Sequence, residues 1–278
     1  MHILSPNFPL APTAQYKPKP HLLSSALAFE KSHGVSNIVL VQPSIYGADN
    51  SCLLDALQNL GPERARGVVV FDPDDIDAAT LREWHEMGVR GVRVNLVSVG
   101  QHLSDVGLEK ILRAHAEVIR PLNWVLNLHV PLASIALLER LIPDLGVTVV
   151  LDHFCQPGLP APELQHPYTL KRDPYLIQGF QLLVNLLRQG NTYVKLSAPY
   201  RISKEETQDD LDPLGRELVR VAEERCVWAS DWPHTRFEGV EAGGFVKMVT
   251  RWCEEMGSEE AVERVFRGNA ERLWGVRR

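Results

Sequence analysis

Val227-Trp228-Ala229-Ser230-Asp231-Trp232-Pro233-His234 is the stretch whose reading decides the fold. Val227 to Ala229 reads as a buried strand, because a short run of β-branched and aromatic residues fits a tightly packed parallel sheet. Pro233 has no ladder donor, so it ends the strand and fixes how the chain leaves it. Asp231 therefore stands at a strand's C-terminal end with His234 in the loop beside it. An Asp in this position also serves as an ordinary cap for the segment that follows. The choice between chemistry and capping depends on what stands at the other strand ends.

Working back from Ala229, strands and helices alternate along the chain. Strands are predicted at Asn37–Gln42, Arg66–Phe71, Gly91–Leu96, Trp124–His129, Val147–Leu151, Thr192–Leu196 and Val227–Ala229. Helices are predicted between them at Leu22–Lys31, Ser51–Leu60, Asp74–Met87, Leu108–Ile119, Leu132–Leu141, Tyr175–Leu187 and Pro213–Glu224, with a long loop after Leu151. Met1-His2-Ile3 supplies the stub of an eighth strand, and Pro6, Pro9, Pro12, Pro18 and Pro20 keep residues 4–21 as loop. Eight such units imply parallel pairing and closure into a distorted (β/α)8 TIM barrel, an α/β fold made as a single domain over residues 1–278. An open doubly wound sheet is the alternative, but no glycine-rich phosphate turn follows the first strand.

Composition narrows the function. The chain has 278 residues, 45% of them hydrophobic and 23% charged, which suffices for one large core. A formal net charge of −6 argues against nucleic acid, so anions must be met by individually placed arginines. No apolar run approaches membrane-spanning length. The four cysteines lie far apart in sequence, without zinc or redox spacing, which suits reduced thiols and a cytoplasmic location. The N-terminus lacks a basic region and is soon broken by prolines, so no signal peptide is expected.

Polar residues do gather at the predicted strand ends, where a barrel of this kind carries its chemistry. They are His2, Ser44 and Tyr46, Arg93 and Asn95, Asn127 and His129, Asp152 and His153, Lys195 and Ser197 with Tyr200 and Arg201, and Asp231 with His234. Asn127 and His129 alternate on one strand face, which places both in the lumen or makes His129 a core histidine satisfied by a carbonyl. Asp152-His153 reads either as site or as a structural pair. Arg93, flanked by valines, must be paired: it holds a protein carboxylate, Asp152 being the candidate, or a substrate carboxylate. Arg201 lies in a charged loop where a solvated role is ordinary.

The runs Ala229-Ser230-Asp231-Trp232-Pro233-His234, Val149-Val150-Leu151-Asp152-His153, Gly91-Val92-Arg93-Val94-Asn95 and Val41-Gln42-Pro43-Ser44-Ile45-Tyr46-Gly47 resemble the amidohydrolase superfamily. The closest likeness is to its 2-pyrone-4,6-dicarboxylate lactonase branch. The resemblance implies a hydrolase that opens a carboxylated lactone or related cyclic ester without a metal or other cofactor. Asp231 would act as general base on water, with His2 and His153 polarising the carbonyl. Arg93, Arg201, Ser44 and Tyr16 match positions that hold the substrate's carboxylates or ring oxygens, and Tyr46, Asn127, His129 and His234 are further candidates for binding it. Two departures stand out. The branch carries Asp-x-His-x-His on its first strand, of which this chain holds the last histidine, so either the sequence is truncated or the site is incomplete. The loop Leu96-Val97-Ser98-Val99-Gly100 lacks the arginine of dicarboxylate-binding members, which argues against a substrate with two carboxylates. Two other functions compete: a decarboxylase using a divalent metal such as zinc on His129, His153, Asp231 and an intact first-strand pair, of which this chain holds His2 alone, and a catalytically silent barrel that binds a small acid or a partner protein.

Overall fold

A computed structural model describes residues 1–101, 103–159 and 173–276. Most of the predicted long loop after Leu151 lies outside the described residues. Seven strands form one parallel sheet in chain order: β1 (Ile38–Val41), β2 (Ala65–Val69), β3 (Val89–Asn95), β4 (Val125–His129), β5 (Val149–Leu151), β6 (Thr192–Ser197) and β7 (Cys226–Ala229). The seven strands predicted from Asn37 onward are all present, their ends displaced by two residues at most. The helices on the outer face are α1 (Leu23–His33), α2 (Ser51–Leu60), α3 (Ala78–Glu86), α4 (Asp105–Ile119), α5 (Ile135–Leu145), α6 (Phe180–Gln189), α7 (Asp212–Ala222) and α8 (Ala242–Met256). Among the described residues, no helix is long and apolar enough to cross a membrane.

Local chemistry moved two helix starts from their predicted places. Asp77 caps α3, accepting from the backbone N–H groups of Ala79 at 2.8 Å and Thr80 at 2.9 Å, so residues 74–77 lead into the helix rather than belong to it. Gly179, with φ 91°, breaks the predicted Tyr175–Leu187 helix, leaving a single turn at Pro174–Leu176 ahead of α6.

The eighth strand does not form as predicted, and the barrel is partly closed. Met1 meets β1 as a strand residue would: its amino group donates to the Val39 carbonyl and its carbonyl accepts from Val41 N–H, both at 2.9 Å. On the other side the first contact is His2 N–H to the Trp232 carbonyl at 2.8 Å, beyond the end of β7. Three residues give one ladder position rather than a strand. Below them, β1 and β7 flank a cavity of about 670 Å³ lined by Ile38, Val39, Val227 and Trp228 among others.

Alternation along each strand sends one set of side chains into the lumen and the other toward the helices. The deep lumen is apolar, with Val41, Val68, Val125, Val150, Tyr193 and Val227 packed on Leu273 and Trp274 from the C-terminal turn. Gly91 makes room for that plug, since a β-carbon there would lie 2.8 Å from the Val125 carbonyl oxygen and 3.1 Å from the Trp274 ring. Two residues further on, the lumen becomes polar through Asn127, Asp152 and Lys195, joined by Arg93 two residues beyond Gly91 and by Asp231 just past the end of β7. The polar end of the sheet is therefore its C-terminal end.

Candidate active site

Asp231 leaves β7 with φ 56°, and His153 and Ala198 leave β5 and β6 with φ 51° and 50°. Left-handed backbone at non-glycine residues carries a cost that the surrounding structure must hold in place, and such strain clusters at functional sites. Here it turns the Asp231 and His153 side chains toward each other at the mouth.

The two oxygens of Asp231 are treated differently. Oδ2 accepts from the Tyr200 hydroxyl at 2.7 Å and from Arg201 Nε at 2.9 Å. Oδ1 faces His2 Nε2 and His153 Nε2, each 3.9 Å away. Burial by itself would raise the carboxyl's proton affinity, but His153, Arg201, His2 and the Tyr200 hydroxyl outweigh it and hold the group well below the usual carboxylate range. Asp231 is thus ionised at neutral pH, with one oxygen fixed and the other directed at the histidines. Tyr200 stays protonated, since burial and the adjacent carboxylate both push its pKa up, and its oxygen accepts from His234 Nδ1 at 3.1 Å.

The partners of the two facing histidines decide what each can do. His2 Nδ1 lies 2.7 Å from the Val41 carbonyl, which can only accept, so the ring proton sits on Nδ1 and Nε2 offers a lone pair. Burial, followed by the repulsion of the chain's own amino group and Arg93, lowers its pKa to about 3 and keeps it neutral. His153 Nδ1 lies 2.8 Å from Ser197 Oγ, a hydroxyl that can donate and so leave the proton on Nε2. Burial also lowers the His153 pKa, against the opposing pull of Asp231 and Asp152. One histidine presents an acceptor to the Asp231 oxygen and the other can present a donor.

Beneath this pair lies a buried ionic network. Asp152 accepts from Lys195 Nζ at 2.8 Å and from Asn127 Nδ2 at 2.9 Å, and Arg93 Nη2 stands 3.6 Å from it. Burial disfavours the charge on Asp152, but Lys195, His153 and Arg93 hold it well below the ordinary range. Arg93 therefore has a protein carboxylate, the first of its two predicted partners, and also donates to the Gln42 carbonyl at 3.1 Å and to His129 Nδ1 at 3.4 Å. With Nδ1 so engaged, His129 Nε2 carries the proton toward Gln156 Oε1 at 3.4 Å. The His129 ring meets His153 edge to face, with centroids 4.8 Å apart.

Two predicted substrate contacts are spent inside the protein. Asn127 is fully buried, and both ends of its amide are taken, the oxygen by Lys195 Nζ at 2.5 Å and the nitrogen by Asp152. The Tyr46 hydroxyl closes on Ser5, donating to its carbonyl at 3.0 Å and accepting from its N–H at 2.9 Å, so it anchors the N-terminal loop. Ser44 is half-buried at the start of a single 3₁₀ turn after β1. Tyr16 lies close enough to Arg201 to influence its proton affinity, and its ring supports Arg236 at 4.3 Å from the centroid.

His129, Asp152 and His153 bring possible metal-ligand atoms within 4.8 Å of one another. A divalent cation fits poorly there, because Asp152 already neutralises Lys195 and Arg93 and a third cation would face both. His2 Nε2 and His153 Nε2, each 3.9 Å from Asp231 Oδ1, are the other set of ligand atoms at the mouth.

The chain belongs to the amidohydrolase family, whose profile matches residues 1–276. It is 28% identical over 283 residues to 4-sulfomuconolactone hydrolase of Hydrogenophaga intermedia, covering 99% of this chain and 86% of that protein. To 2-pyrone-4,6-dicarboxylate hydrolase of Comamonas testosteroni it is 29% identical over 245 residues, covering 84% and 75%. Among solved structures it resembles a Pseudomonas putida protein named as a candidate 2-pyrone-4,6-dicarboxylic acid hydrolase, with TM-score 0.79 and 32% identity, covering 99% of this chain and 95% of that one. A zinc-bound amidohydrolase from Burkholderia multivorans shares the fold at TM-score 0.73 and 18% identity, covering 93% and 90%.

Proposed function

We propose that this protein is a lactone hydrolase, a single-domain cytoplasmic barrel that opens a carboxylated cyclic ester with water and without a cofactor. The observation that carries the proposal is the division of labour at Asp231, with Oδ2 gripped by Tyr200 and Arg201 and Oδ1 left 3.9 Å from His2 Nε2 and from His153 Nε2. A water between Oδ1 and His2 Nε2 can donate one proton to each, which aims its lone pair at a bound carbonyl. Asp231 takes a proton as the water oxygen bonds to that carbon, and His153 Nε2–H stabilises the oxyanion that results. The ring C–O bond then breaks and the leaving oxygen recovers the proton from Asp231, giving the open-chain acid. Arg201 Nη1, without a protein partner among the described residues, suits a substrate carboxylate. A second negative charge there would raise the proton affinity of Asp231 toward the operating pH. The named activities of the two curated relatives on lactones support the same reading.

The second reading is metal-assisted chemistry, hydrolytic or decarboxylating, for which the observation is the two histidine nitrogens that each stand 3.9 Å from Asp231 Oδ1. His2, His153 and Asp231 would hold the ion, which would supply Lewis acidity. A panel of carboxylated lactones, followed by the proton released on ring opening, separates the readings when run with and without a chelator alongside elemental analysis. Turnover that survives chelation in metal-free protein supports the proposal. Turnover that vanishes and returns with added zinc supports the second reading.

A further inference from the structure

At the N-terminal end of the sheet, opposite the mouth, two arginines and a histidine stand together. Arg66 on β2 shares the lumen face with Val68, and its Nε donates to the Trp274 carbonyl at 3.3 Å. Its Nη1 donates to the carbonyls of Pro62 and Ala65. Beside it the β2–β3 register slips: Gly67 pairs with Val89 and Val68 with Gly91, which makes Arg90 the extra residue of a bulge. A bulge re-aims the side chain it carries, and Arg90 Nη1 is held by the carbonyls of His85 at 2.6 Å and Val89 at 2.7 Å. Burial, then the charge of Arg66, lowers the proton affinity of Arg90, as expected of neighbouring guanidinium groups. The Trp124 indole can only donate, and it gives its N–H to His85 Nδ1 at 2.9 Å, which leaves the His85 proton on Nε2. All three residues are half-buried, and among the described residues none has a carboxylate within ion-pair distance; Glu63 and Glu86 act on Arg66 and His85 from further off. Arg66 Nη2, Arg90 Nε and Nη2, and His85 Nε2 take no protein partner among the described residues, and none of these atoms is sealed in the interior.

We infer that Arg66, Arg90 and His85 form a phosphate-binding site at the end of the barrel remote from the candidate active site. The free donors come from β2, from β3 and from the last turn of α3, so they suit a tetrahedral anion that offers an oxygen to each. Phosphate carries close to two negative charges at neutral pH and balances the arginine pair, whereas a carboxylate brings one charge and two oxygens in a plane. The backbone carbonyls that hold Arg66 and Arg90 fix both guanidinium groups before the anion arrives, which lowers the cost of ordering them. The ligand is inorganic phosphate or the phosphoryl group of a small metabolite, since both present the same oxygens.

Calorimetry on the full chain at constant ionic strength tests this, with inorganic phosphate, glycerol 3-phosphate and acetate titrated into the wild type, Arg90→Met and Arg90→Lys. Thermal unfolding of the same proteins is followed with and without phosphate. The wild type should bind one phosphate group per chain, with acetate weaker by at least about 10-fold. Arg90→Met should weaken phosphate by about 10- to 100-fold, the scale of hydrogen bonds to a charged group, and its Tm should no longer rise with phosphate as that of the wild type does. Arg90→Lys should fall in between, because it keeps the charge and loses the planar pair of donors; it also carries the test if Arg90→Met does not fold. Tighter binding of glycerol 3-phosphate assigns the site to a phosphorylated metabolite, and tighter binding of inorganic phosphate assigns it to the free ion. A wild type that binds neither, or binds them no better than acetate, overturns the inference. So does binding that is unchanged in the Arg90 variants, which would put the anion elsewhere on the chain, the arginine at the mouth included.

Discussion

Replacing Lys195 by Met, with Arg93→Met as its comparator, tests the ionic network that supports the mouth. Lys195 Nζ is the near partner of Asp152, at 2.8 Å, and also holds Asn127 Oδ1 at 2.5 Å. Its loss leaves a carboxylate 3% exposed with its remaining cation at 3.6 Å, together with an unsatisfied amide oxygen. Removing one partner of a buried pair costs about 3–5 kcal/mol. Arg93 is also buried, but its loss leaves Asp152 bonded to Lys195 and Asn127, and what disappears is one hydrogen bond to a carbonyl, one long contact to His129 and the outer ion pair. That sum is about 1–3 kcal/mol, offset in part because Arg93 Nε is buried without a partner and its desolvation is recovered. Lys195→Met should therefore destabilise the fold more than Arg93→Met by roughly 2 kcal/mol. Urea unfolding, with equal slopes checked in all three proteins, measures the difference. Equal midpoints for the two variants, or a larger loss in Arg93→Met, would refute the assignment of Lys195 as the principal counter-charge. A rise in KM for Arg93→Met without loss of stability would instead place Arg93 on the substrate.

Ser197→Ala removes the hydroxyl that fixes the His153 tautomer and should lower kcat by about 10- to 100-fold with little change in KM; equal rates would detach Ser197 from the mechanism. The pH profile of kcat/KM should show no inflection near 6.5, because burial holds His2, His129 and His153 neutral below that pH. A bell with an acid limb between 6 and 7 would contradict that electrostatic picture. Stability follows the same groups: the unfolded chain binds protons at these histidines before the folded one does, so stability should decline as pH falls below about 6.5, and further as Asp152 and Asp231 are titrated. Urea midpoints measured from pH 8 to pH 4 check the sign, and a midpoint that rises on acidification would reverse it.

The strands were legible because runs such as Val92-Arg93-Val94 and Val149-Val150-Leu151 are buried on both faces and leave few other readings. Arg93 was legible as a charge that needs a partner for the same reason, with Asp152 one of two candidates, and the structure supplies Asp152 at 3.6 Å. Distance in sequence concealed the rest of the network. Nothing near Asn127 announces that Lys195, 68 positions on, will occupy its oxygen. Tyr46 sits at a strand end and so reads as a site residue, yet Ser5 reaches it from the N-terminal loop. Tyr200 was visible as a polar residue after β6, but its grip on Asp231 depends on the left-handed turns at Ala198 and Asp231. The opposite roles of His2 and His153 rest on whether a carbonyl or a hydroxyl faces Nδ1, which no local motif encodes.

Asp231→Asn tests the central claim most directly. The amide keeps the size of the side chain and can still accept from Tyr200 and Arg201, but it cannot take a proton from water. Stopped-flow ring opening of a carboxylated lactone should show kcat reduced by about two to four powers of ten, with KM within a few-fold of the wild type. Turnover within a few-fold of the wild type would remove Asp231 as the general base and contradict the account.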